Sequence, residues 1–380
     1  MLGAHDLILN EVLHTRTMDD VAMDESLMAA SSQSEDAFEK PTFINGKYGN
    51  PKSFLGWTGL PGLREGWRYK RNKDLSNIPS SEQELNKALP LVEPKFNPDA
   101  QLEATWIGHA TVVVTLDGAT FITDPIWSNH CSPFFFYGPK RYRPPPCQIT
   151  DLKKVDFVVI SHNHYDHLDV SSVRQLEQQF GGGKDGLRWF VPMGLKGWME
   201  KNGCRQVEEL TWGEKKSITI NSKQFDVHCV PAQHWSTRTG FDRFKSLWSG
   251  WAVVGPQHRF YFAGDTGFCK EEFGKIGRRI GPFDLAAIPL GCYEPKWFMS
   301  PQHIGPEEAV EIHKLIRAKK SIGVHWGTFH MGSHEPYMEP KLLLEEAVKK
   351  AGLDKEAFIT VHHGETRNYS NSKSEEQFHK

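Results

Sequence analysis

The chain has 380 residues and a formal net charge of −2 at pH 7, with 45 Lys and Arg against 47 Asp and Glu. This balance lacks the overall basic character that a nucleic-acid-binding protein would show. The six cysteines form no C-x-x-C pair, which argues against a zinc ribbon or a disulfide framework and fits a reducing compartment. The longest apolar runs have the length of a strand rather than the ~20 residues of a membrane span. Residues 1–6 lack the basic start and apolar core of a secretory signal, so we expect a soluble or peripheral protein.

Composition predicts three parts of the chain. Residues 1–45 include an acidic, Ser-rich stretch that is poor in aromatic residues, which predicts a weakly ordered segment. Residues 371–380 form a polar tail that we expect to be frayed. We expect a single domain over residues 46–370.

Strand and helix signals alternate within that domain. Apolar and β-branched runs predict strands at 104–107, 111–116, 119–123, 155–160, 189–191, 225–230, 251–254, 260–263, 285–289 and 322–324. Asp117-Gly118 predicts a hairpin turn. Helix patterns lie at 171–180, 307–317 and 342–351, the first with Asp169 or Ser171 as its cap. Early antiparallel strands followed by β/α alternation predict a layered α/β sandwich with the helices outside the sheets.

The strongest chemical signal is the run Ser161-His162-Asn163-His164-Tyr165-Asp166-His167, directly after the apolar strand 155–160. Imidazole and carboxylate are good ligands for zinc and similar divalent metals. Burying so many polar groups at the end of a strand would be costly without a metal. A solvated, His-rich loop is the alternative interpretation, but it suits an isolated His better than this combination. The run therefore predicts a metal site.

The spacing of the ligands favours two metals over one. Ligands that share a helix face are three or four residues apart, whereas His162 and His164 are two apart and Asp166 and His167 are adjacent. This spacing is typical of a tight loop. It suggests that the first pair binds one metal and the second pair binds another.

Three later residues follow predicted strands and complete such a site. His234 follows the strand 225–230, Asp265 lies between glycines after 260–263, and His325 follows 322–324. We expect His234 to complete the first metal, His325 to be a terminal ligand of the second, and Asp265 to bridge them. Taken alone, each has a plain interpretation, since an isolated His is often structural and an Asp between glycines often forms a turn. Their recurrence behind the first cluster favours the metal interpretation.

These motifs resemble the metallo-β-lactamase superfamily, and within it the N-acyl-phosphatidylethanolamine-hydrolysing phospholipases D. The superfamily resemblance rests on the His-x-His-x-Asp-His run, the later His, the Gly-Asp-Thr-Gly carboxylate and the final His. The stretches that carry the narrower resemblance are 106–112, 123–126, 138–141, 161–169, 188–192, 262–267, 281–289, 293–299 and 325–329. Tyr-Glu-Pro-Lys-Trp-Phe-Met at 293–299 and His-Trp-Gly-Thr-Phe at 325–329 are the most specific of these.

The resemblance implies an αββα four-layer sandwich with two Zn²⁺ ions at one edge of its sheets. One zinc would be held by His162, His164 and His234, and the other by Asp166, His167 and His325, with Asp265 bridging. It also implies substrate contacts at Tyr165 and His303. His303 would either orient the substrate or protonate the leaving group. The alternative is a purely structural role at the start of the helix that begins at Glu307. We interpret Asp124 and Asp169 as carboxylates that steer ligand imidazoles.

The implied reaction is hydrolysis of N-acyl-phosphatidylethanolamine to an N-acylethanolamine and phosphatidic acid. Two zinc ions would lower the pKa of a shared water, and hydroxide would attack phosphorus opposite the ethanolamide oxygen. The resemblance further implies a homodimer at the cytosolic face of an endomembrane such as Golgi or endosome. We expect the membrane surface to include the aromatics at 133–137 with the basic run 140–143, which contains Arg141 and Arg143. A second patch would consist of Trp235, Phe241, Phe244 and Trp248 with Arg238 and Arg243 between them, unless these aromatics belong to the core.

Three alternatives remain at this stage. Another hydrolase of the same fold would cleave a thioester, a lactone or a different phosphodiester, including a nucleic acid. A scaffold or lipid-binding protein would keep the metals without catalysis, and a diiron oxidoreductase would use the same ligand set. No flavin or electron-transfer module is visible for the last.

Overall fold

The computed structural model describes residues 36–71, 78–79, 81–134, 136–330 and 333–370. From Phe38 onward these residues form one compact unit. Most of the predicted weakly ordered segment 1–45 and all of the predicted tail 371–380 lie outside the described residues, so the division of the chain into three parts stays a prediction. The first described strand nevertheless lies inside that segment, at Thr42–Ile44.

The described chain alternates strands and helices. The strands are β1 (Thr42–Ile44), β2 (Lys47–Gly49), β3 (Leu102–Gly108), β4 (Thr111–Leu116), β5 (Ala119–Thr123), β6 (Phe157–Val159), β7 (Arg188–Pro192), β8 (Gln206–Leu210), β9 (Lys215–Ile220), β10 (Lys223–Val230), β11 (Gly250–Val254), β12 (Arg259–Phe262), β13 (Phe283–Pro289), β14 (Ala318–Val324), β15 (Phe358–Ile359) and β16 (Thr366–Asn368). The helices are α1 (Leu63–Arg71), α2 (Glu82–Ala88), α3 (Val170–Phe180), α4 (Lys196–Lys201), α5 (Lys270–Arg279), α6 (Lys296–Met299), α7 (Pro306–Leu315) and α8 (Glu339–Lys350), with a 3-10 turn at Ile149–Asp151.

Two seven-stranded sheets form the centre of the fold. The first has the strand order β16-β3-β4-β5-β6-β7-β8 and the second has the order β15-β14-β13-β12-β11-β10-β9. In each sheet one half is antiparallel and the other half parallel. Strands β1 and β2 make a separate hairpin.

The strands of the first sheet bury both of their faces. Successive side chains of a strand point to opposite faces, and Val112 and Val114 of β4 lie in the large core between the sheets. Val113, between them, packs in a second core that also includes Val173 and Leu176 of α3. Covering both faces explains why these strands read as continuous apolar runs in the sequence.

Helices cover the outer faces of both sheets. On the first sheet α4 contacts β8, and on the second sheet α7 contacts β13 and β14 while α8 contacts β15. The predicted αββα sandwich is therefore confirmed. Asp169 is the N-cap of α3, where its side chain accepts hydrogen bonds from the backbone of Ser171 and Ser172.

The hairpin predicted at Asp117-Gly118 is present, with φ angles of 52° and 88° that suit the tight connection between β4 and β5. All six cysteines are buried and unpaired. Among the described helices, none combines the length and apolar character needed to span a membrane.

Candidate metal centre

Four strand ends bring the predicted ligands to one edge of the sandwich. Residues 162–167 follow β6, His234 follows β10, Asp265 follows β12 and His325 follows β14. The first of these strands belongs to the first sheet and the other three to the second. The centre is therefore assembled across the interface of the two sheets.

The first predicted ligand set converges on one point. His162 Nε2 lies 2.8 Å from His164 Nδ1, and His234 Nε2 lies 3.3 Å from the same atom. One ligand atom from each of the three residues lies within 4.8 Å of the others. His164 thus presents Nδ1 to the cluster, whereas the other two present Nε2.

The second predicted set converges beside the first. Asp166 Oδ2 lies 3.3 Å from His167 Nε2 and 3.6 Å from His325 Nε2. Ligand atoms of these three residues, together with one from His109, lie within 4.8 Å of one another. Apart from the partly exposed Asp166 carboxylate, these side chains are almost completely buried.

Asp265 lies between the two sets. Its Oδ1 is 3.1 Å from His325 Nε2, and its Oδ2 is 3.2 Å from His167 Nε2 and 3.8 Å from His234 Nε2. A single carboxylate therefore faces imidazoles of both sets. This is the position that a bridging ligand requires.

The polar atoms that face the centre are left without ordinary partners. His167 Nε2, His325 Nε2 and Asp265 Oδ1 are buried and have no hydrogen-bond partner among the described residues. Each unsatisfied buried polar group costs about 1–3 kcal/mol. Their donor types are nitrogen and oxygen, which Zn²⁺ accepts readily, so the residues fit a pair of divalent ions.

Hydrogen bonds behind the centre fix two imidazole orientations. His167 Nδ1 lies 2.6 Å from Asp124 Oδ2, and His234 Nδ1 lies 2.9 Å from the backbone carbonyl of Gln302. Both acceptors place the proton on Nδ1 and leave Nε2 free to bind a metal. Asp124 thus contacts an imidazole as the sequence predicted, and the role of that imidazole as a metal ligand stays a prediction.

The two ligand sets have different charge states. Burial lowers the pKa of His164 to about 4 and that of His234 to about 3, so the first set consists of neutral imidazoles. Burial also lowers the pKa of His325, but the carboxylates of Asp265 and Asp166 outweigh it and raise that pKa to about 9. Burial raises the pKa of Asp265, but His167 and His325 outweigh it and hold that pKa well below its usual range. The second set therefore pairs a protonated His325 with an ionised carboxylate, whereas the imidazoles of the first set are neutral.

Both predicted substrate contacts lie at this centre. His303 Nδ1 is 3.8 Å from Asp265 Oδ2, and this buried nitrogen has no hydrogen-bond partner among the described residues. Tyr165 is half-buried and packs against Ile126, Cys131 and Phe329. His303 thus faces Asp265 and the predicted ligands directly, while Tyr165 lies on the ligand loop at the margin of the cluster.

Two further residues hold the centre, and the sequence predicted this role for neither of them. The first is Arg238, which was expected in the second membrane patch but is half-buried against the ligand loop. Arg238 donates from Nη1 to the backbone carbonyls of Asn163 and Leu168, at 3.1 and 2.6 Å, and its guanidinium lies over the rings of Tyr165 and Trp198. It therefore clamps both ends of the ligand loop. The other residue is His109, which lies in the stretch 106–112 that carries the family resemblance but for which the sequence predicted no role. Residues so far from the loop in sequence give no local signal of these contacts.

Several predicted roles of neighbouring residues are wrong. Asp169 caps α3 and accepts from Ser128 Oγ at 2.8 Å, so its carboxylate steers no imidazole. Arg141 and Arg143 are 5% and 8% exposed because they donate to backbone carbonyls, those of Ile126 and Leu89 among them. They belong to the interior rather than to a membrane surface.

The predicted second aromatic patch is only partly on the surface. Trp248 is buried and Trp235 is half-buried, whereas Phe241 is exposed. The indole nitrogens explain the burial, since Trp248 Nε1 donates to the carbonyl of Ala232 at 3.0 Å and Trp235 Nε1 donates to Gln302 Oε1.

Comparison with known proteins gives consistent matches. A family profile described as "Beta-lactamase superfamily domain" matches residues 119–326. The N-acyl-phosphatidylethanolamine-hydrolyzing phospholipase D 1 of Caenorhabditis elegans is 48% identical over 86% of this chain and 94% of its own length. The mitochondrial N-acyl-phosphatidylethanolamine-hydrolyzing phospholipase D of Saccharomyces cerevisiae is 39% identical over 65% of this chain, which spans about half (52%) of the yeast protein. Among solved structures, the metallo hydrolase Igni18 of Ignicoccus hospitalis superposes with a TM-score of 0.51 at 22% identity, over 70% of this chain and 97% of that one, which shows the shared fold alone.

Proposed function

Because the chain belongs to the β-lactamase superfamily and, within it, to the family of N-acyl-phosphatidylethanolamine-hydrolysing phospholipases D, we propose that this metal-dependent hydrolase cleaves N-acyl-phosphatidylethanolamine. Its products would be an N-acylethanolamine and phosphatidic acid. The bond broken is the one between phosphorus and the ethanolamide oxygen, and water supplies the hydroxyl group that phosphatidic acid gains.

The position of Asp265 is the observation that carries this proposal. Its carboxylate lies within 3.8 Å of imidazole nitrogens from both ligand sets. We propose that Asp265 bridges two zinc ions. The first ion would be held by His162, His164 and His234, and the second by Asp166, His167 and His325.

Two divalent ions bound there would lower the pKa of water towards neutrality and offset the charge on the phosphoryl oxygens. The protein's own part is to hold the substrate. His303 presents its buried, unpartnered Nδ1 beside Asp265, which supports the proposal that it contacts the phosphoryl group or the leaving oxygen. Burial lowers the pKa of His303 to about 3, and a neutral imidazole contacts the substrate without adding charge. Tyr165 would contact the lipid from the ligand loop.

The lipid substrate implies a membrane surface, and one exposed loop is suited to it. Phe134, Phe136 and Tyr137 are 54%, 68% and 71% exposed, and Lys140 beside them is exposed. The preceding Cys131 packs against Phe329 and Tyr165, which places this loop next to the centre. Aromatic rings favour the interfacial zone and Lys favours anionic headgroups, so we propose that this loop docks on the membrane.

Because the family resemblance implies a homodimer, we further propose that the chain forms one. Light scattering of the purified chain tests this proposal.

The direct test is product release from N-acyl-labelled lipid in mixed micelles by the purified full chain. We expect zinc-dependent release of N-acylethanolamine together with an equal amount of phosphatidic acid. A thioester and a lactone, assayed in parallel, should be cleaved far more slowly. Cleavage of either of these without cleavage of the lipid would overturn the proposed substrate.

A pair of matched variants separates chemistry from folding. Asp265→Asn removes the bridging charge and should lower the rate by at least about 100-fold, more than the loss of an outer partner. Asp284→Asn is the control, because Asp284 accepts from the backbone of Arg259 at 2.8 Å and from Lys319 at 2.7 Å, outside the metal centre. Equal effects of the two changes would count against the proposed role of Asp265.

A further inference from the structure

His109 lies between β3 and β4, and its side chain is buried in the metal centre. The centroid of its ring is 4.0 Å from that of His325 and 5.2 Å from that of His167. Its backbone has a φ of 52°, a left-handed conformation that is uncommon for residues other than glycine. Such conformations persist where the surrounding structure holds them, and they cluster at functional sites.

The imidazole of His109 contacts one predicted ligand in particular. Its Nε2 lies 2.9 Å from Asp166 Oδ2. An ionised carboxylate only accepts hydrogen bonds, so His109 is the donor. The same Oδ2 is the atom that faces His167 Nε2 at 3.3 Å and His325 Nε2 at 3.6 Å. His109 therefore holds the carboxylate oxygen that lies inside the second ligand set.

The backbone of His109 is fixed on both sides. Its N–H donates to Thr328 Oγ1 at 2.6 Å, and its carbonyl accepts from the backbone N–H of His325 at 2.9 Å and from Trp106 Nε1 at 2.8 Å. Thr328 Oγ1 is in turn 2.9 Å from His363 Nε2. The imidazole consequently has little freedom to leave Asp166, and its position is tied to that of His325.

We propose that His109 is a positioning residue for the second metal position. It orients Asp166 so that Oδ2 faces the ion, and it acts through this carboxylate rather than as a ligand itself. The proposal rests on the proposed function in one respect, that the second position holds an ion. Outer partners of this kind contribute about 10–100-fold to metal affinity.

The test compares zinc binding by the full chain and two variants at this position. His109→Gln keeps an N–H donor at nearly the reach of Nε2, whereas His109→Asn keeps an amide that is too short to contact Asp166 and tolerates a positive φ. Zinc stoichiometry and affinity are measured by competition with a chromophoric chelator, so the readout does not depend on activity. His313→Asn is the matched control, because His313 is a buried histidine bonded to Ser321 Oγ at 2.8 Å outside the centre.

We expect two zinc equivalents in the wild type. In His109→Asn one equivalent should bind about 10–100-fold more weakly while the other is unchanged, and His109→Gln should recover most of the loss. Wild-type affinity for both equivalents in His109→Asn would overturn the proposal. An equal loss of zinc affinity in His109→Gln would also overturn it, since that result would make His109 a ligand. A loss of the same size in the control His313→Asn would overturn it as well. Fewer than two equivalents in the wild type would instead refute the dinuclear site of the proposed function.

Discussion

Asp124 Oδ2 lies 2.6 Å from His167 Nδ1, and neither side chain is exposed to solvent. The two residues follow neighbouring parallel strands, β5 and β6, whose carboxyl ends meet at the same edge of the sheet. Asp124 also accepts a hydrogen bond from the backbone N–H of Ser161 at 2.6 Å. One carboxylate therefore fixes both the start of the ligand loop and the orientation of its last imidazole.

Replacing Asp124 by Asn should weaken zinc binding at the second position by about 10–100-fold. The amide keeps the volume but removes the charge that holds the Nδ1 proton of His167. Zinc affinity measured by chelator competition checks this expectation. Asp156→Asn is the control, because Asp156 accepts from the backbone of Thr120 at 2.8 Å before β6 rather than after it. A loss of the same size in the control would mean that the change acts through the sheet rather than through His167.

Replacing His303 by Ala should lower the rate of lipid hydrolysis and leave both zinc equivalents in place. The reason is that His303 Nδ1 faces Asp265 from 3.8 Å without belonging to either proposed ligand set. We expect a loss of about 100-fold, the scale of a positioned polar group in catalysis. Steady-state kinetics and zinc content should be measured on the same preparation. Loss of a zinc equivalent would show that His303 is a ligand.

Replacing Phe136 by Ser should weaken binding to anionic vesicles. Phe136 is 68% exposed, and burying a Phe side chain contributes about 1.5–3 kcal/mol, so we expect a loss of about 10–100-fold in partitioning. Vesicle sedimentation measures this partitioning. Leu342→Ser on α8 is the control, since Leu342 is similarly exposed at 55% but lies on another element. Equal losses for the two variants would contradict a specific docking loop.

The stability of the fold should depend on pH through His313. Burial, with the charge of Lys320 nearby, lowers the pKa of His313 from 6.5 to about 4. Between these values the unfolded chain binds a proton that the folded chain does not. The free energy of unfolding therefore falls as the pH falls through this window, by up to about 1.4 kcal/mol per pH unit. Above this window His313 makes no pH-dependent contribution to the free energy of unfolding.

The variant His313→Gln isolates this contribution. Urea denaturation should show that, as the pH is lowered from about 7 to about 5, the free energy of unfolding of the wild type falls by about 2 kcal/mol relative to that of the variant. Comparing the two proteins at each pH cancels the titration of the metal centre. A constant difference across this range would contradict the assigned burial effect.

Local sequence patterns predicted much of this molecule because they act over short distances. The strands at 111–116 and 119–123 agree with β4 and β5, and Asp169 caps α3. No helix was predicted at α1, α2, α4, α5 or α6, which are short, with ten residues at most, and several of which carry many charged residues. Their formation depends on contacts that no local window contains.

Surface and interior were harder to predict than secondary structure. Arg141 and Arg143 sit in a basic run after exposed aromatics, and that pattern is typical of a membrane surface. The fold buries both because backbone carbonyls distant in sequence, such as those of Ile126 and Leu89, accept their hydrogen bonds. Nothing near the arginines in the sequence indicates these partners.

The sequence by itself determined the chemistry of the centre, because the His162–His167 run and the later His234, Asp265 and His325 carry their ligand types wherever they lie. Only the tertiary structure decided how those groups face one another. Asp265 gains its place between two ligand sets from the packing of one sheet on the other. His109 meets Asp166 across 57 residues of sequence because β3 and β6 run in the same direction within one sheet, so both residues follow strand ends at the same edge. Distances between side chains from separate strands are set by the packing of the whole sandwich, and a linear pattern cannot encode them.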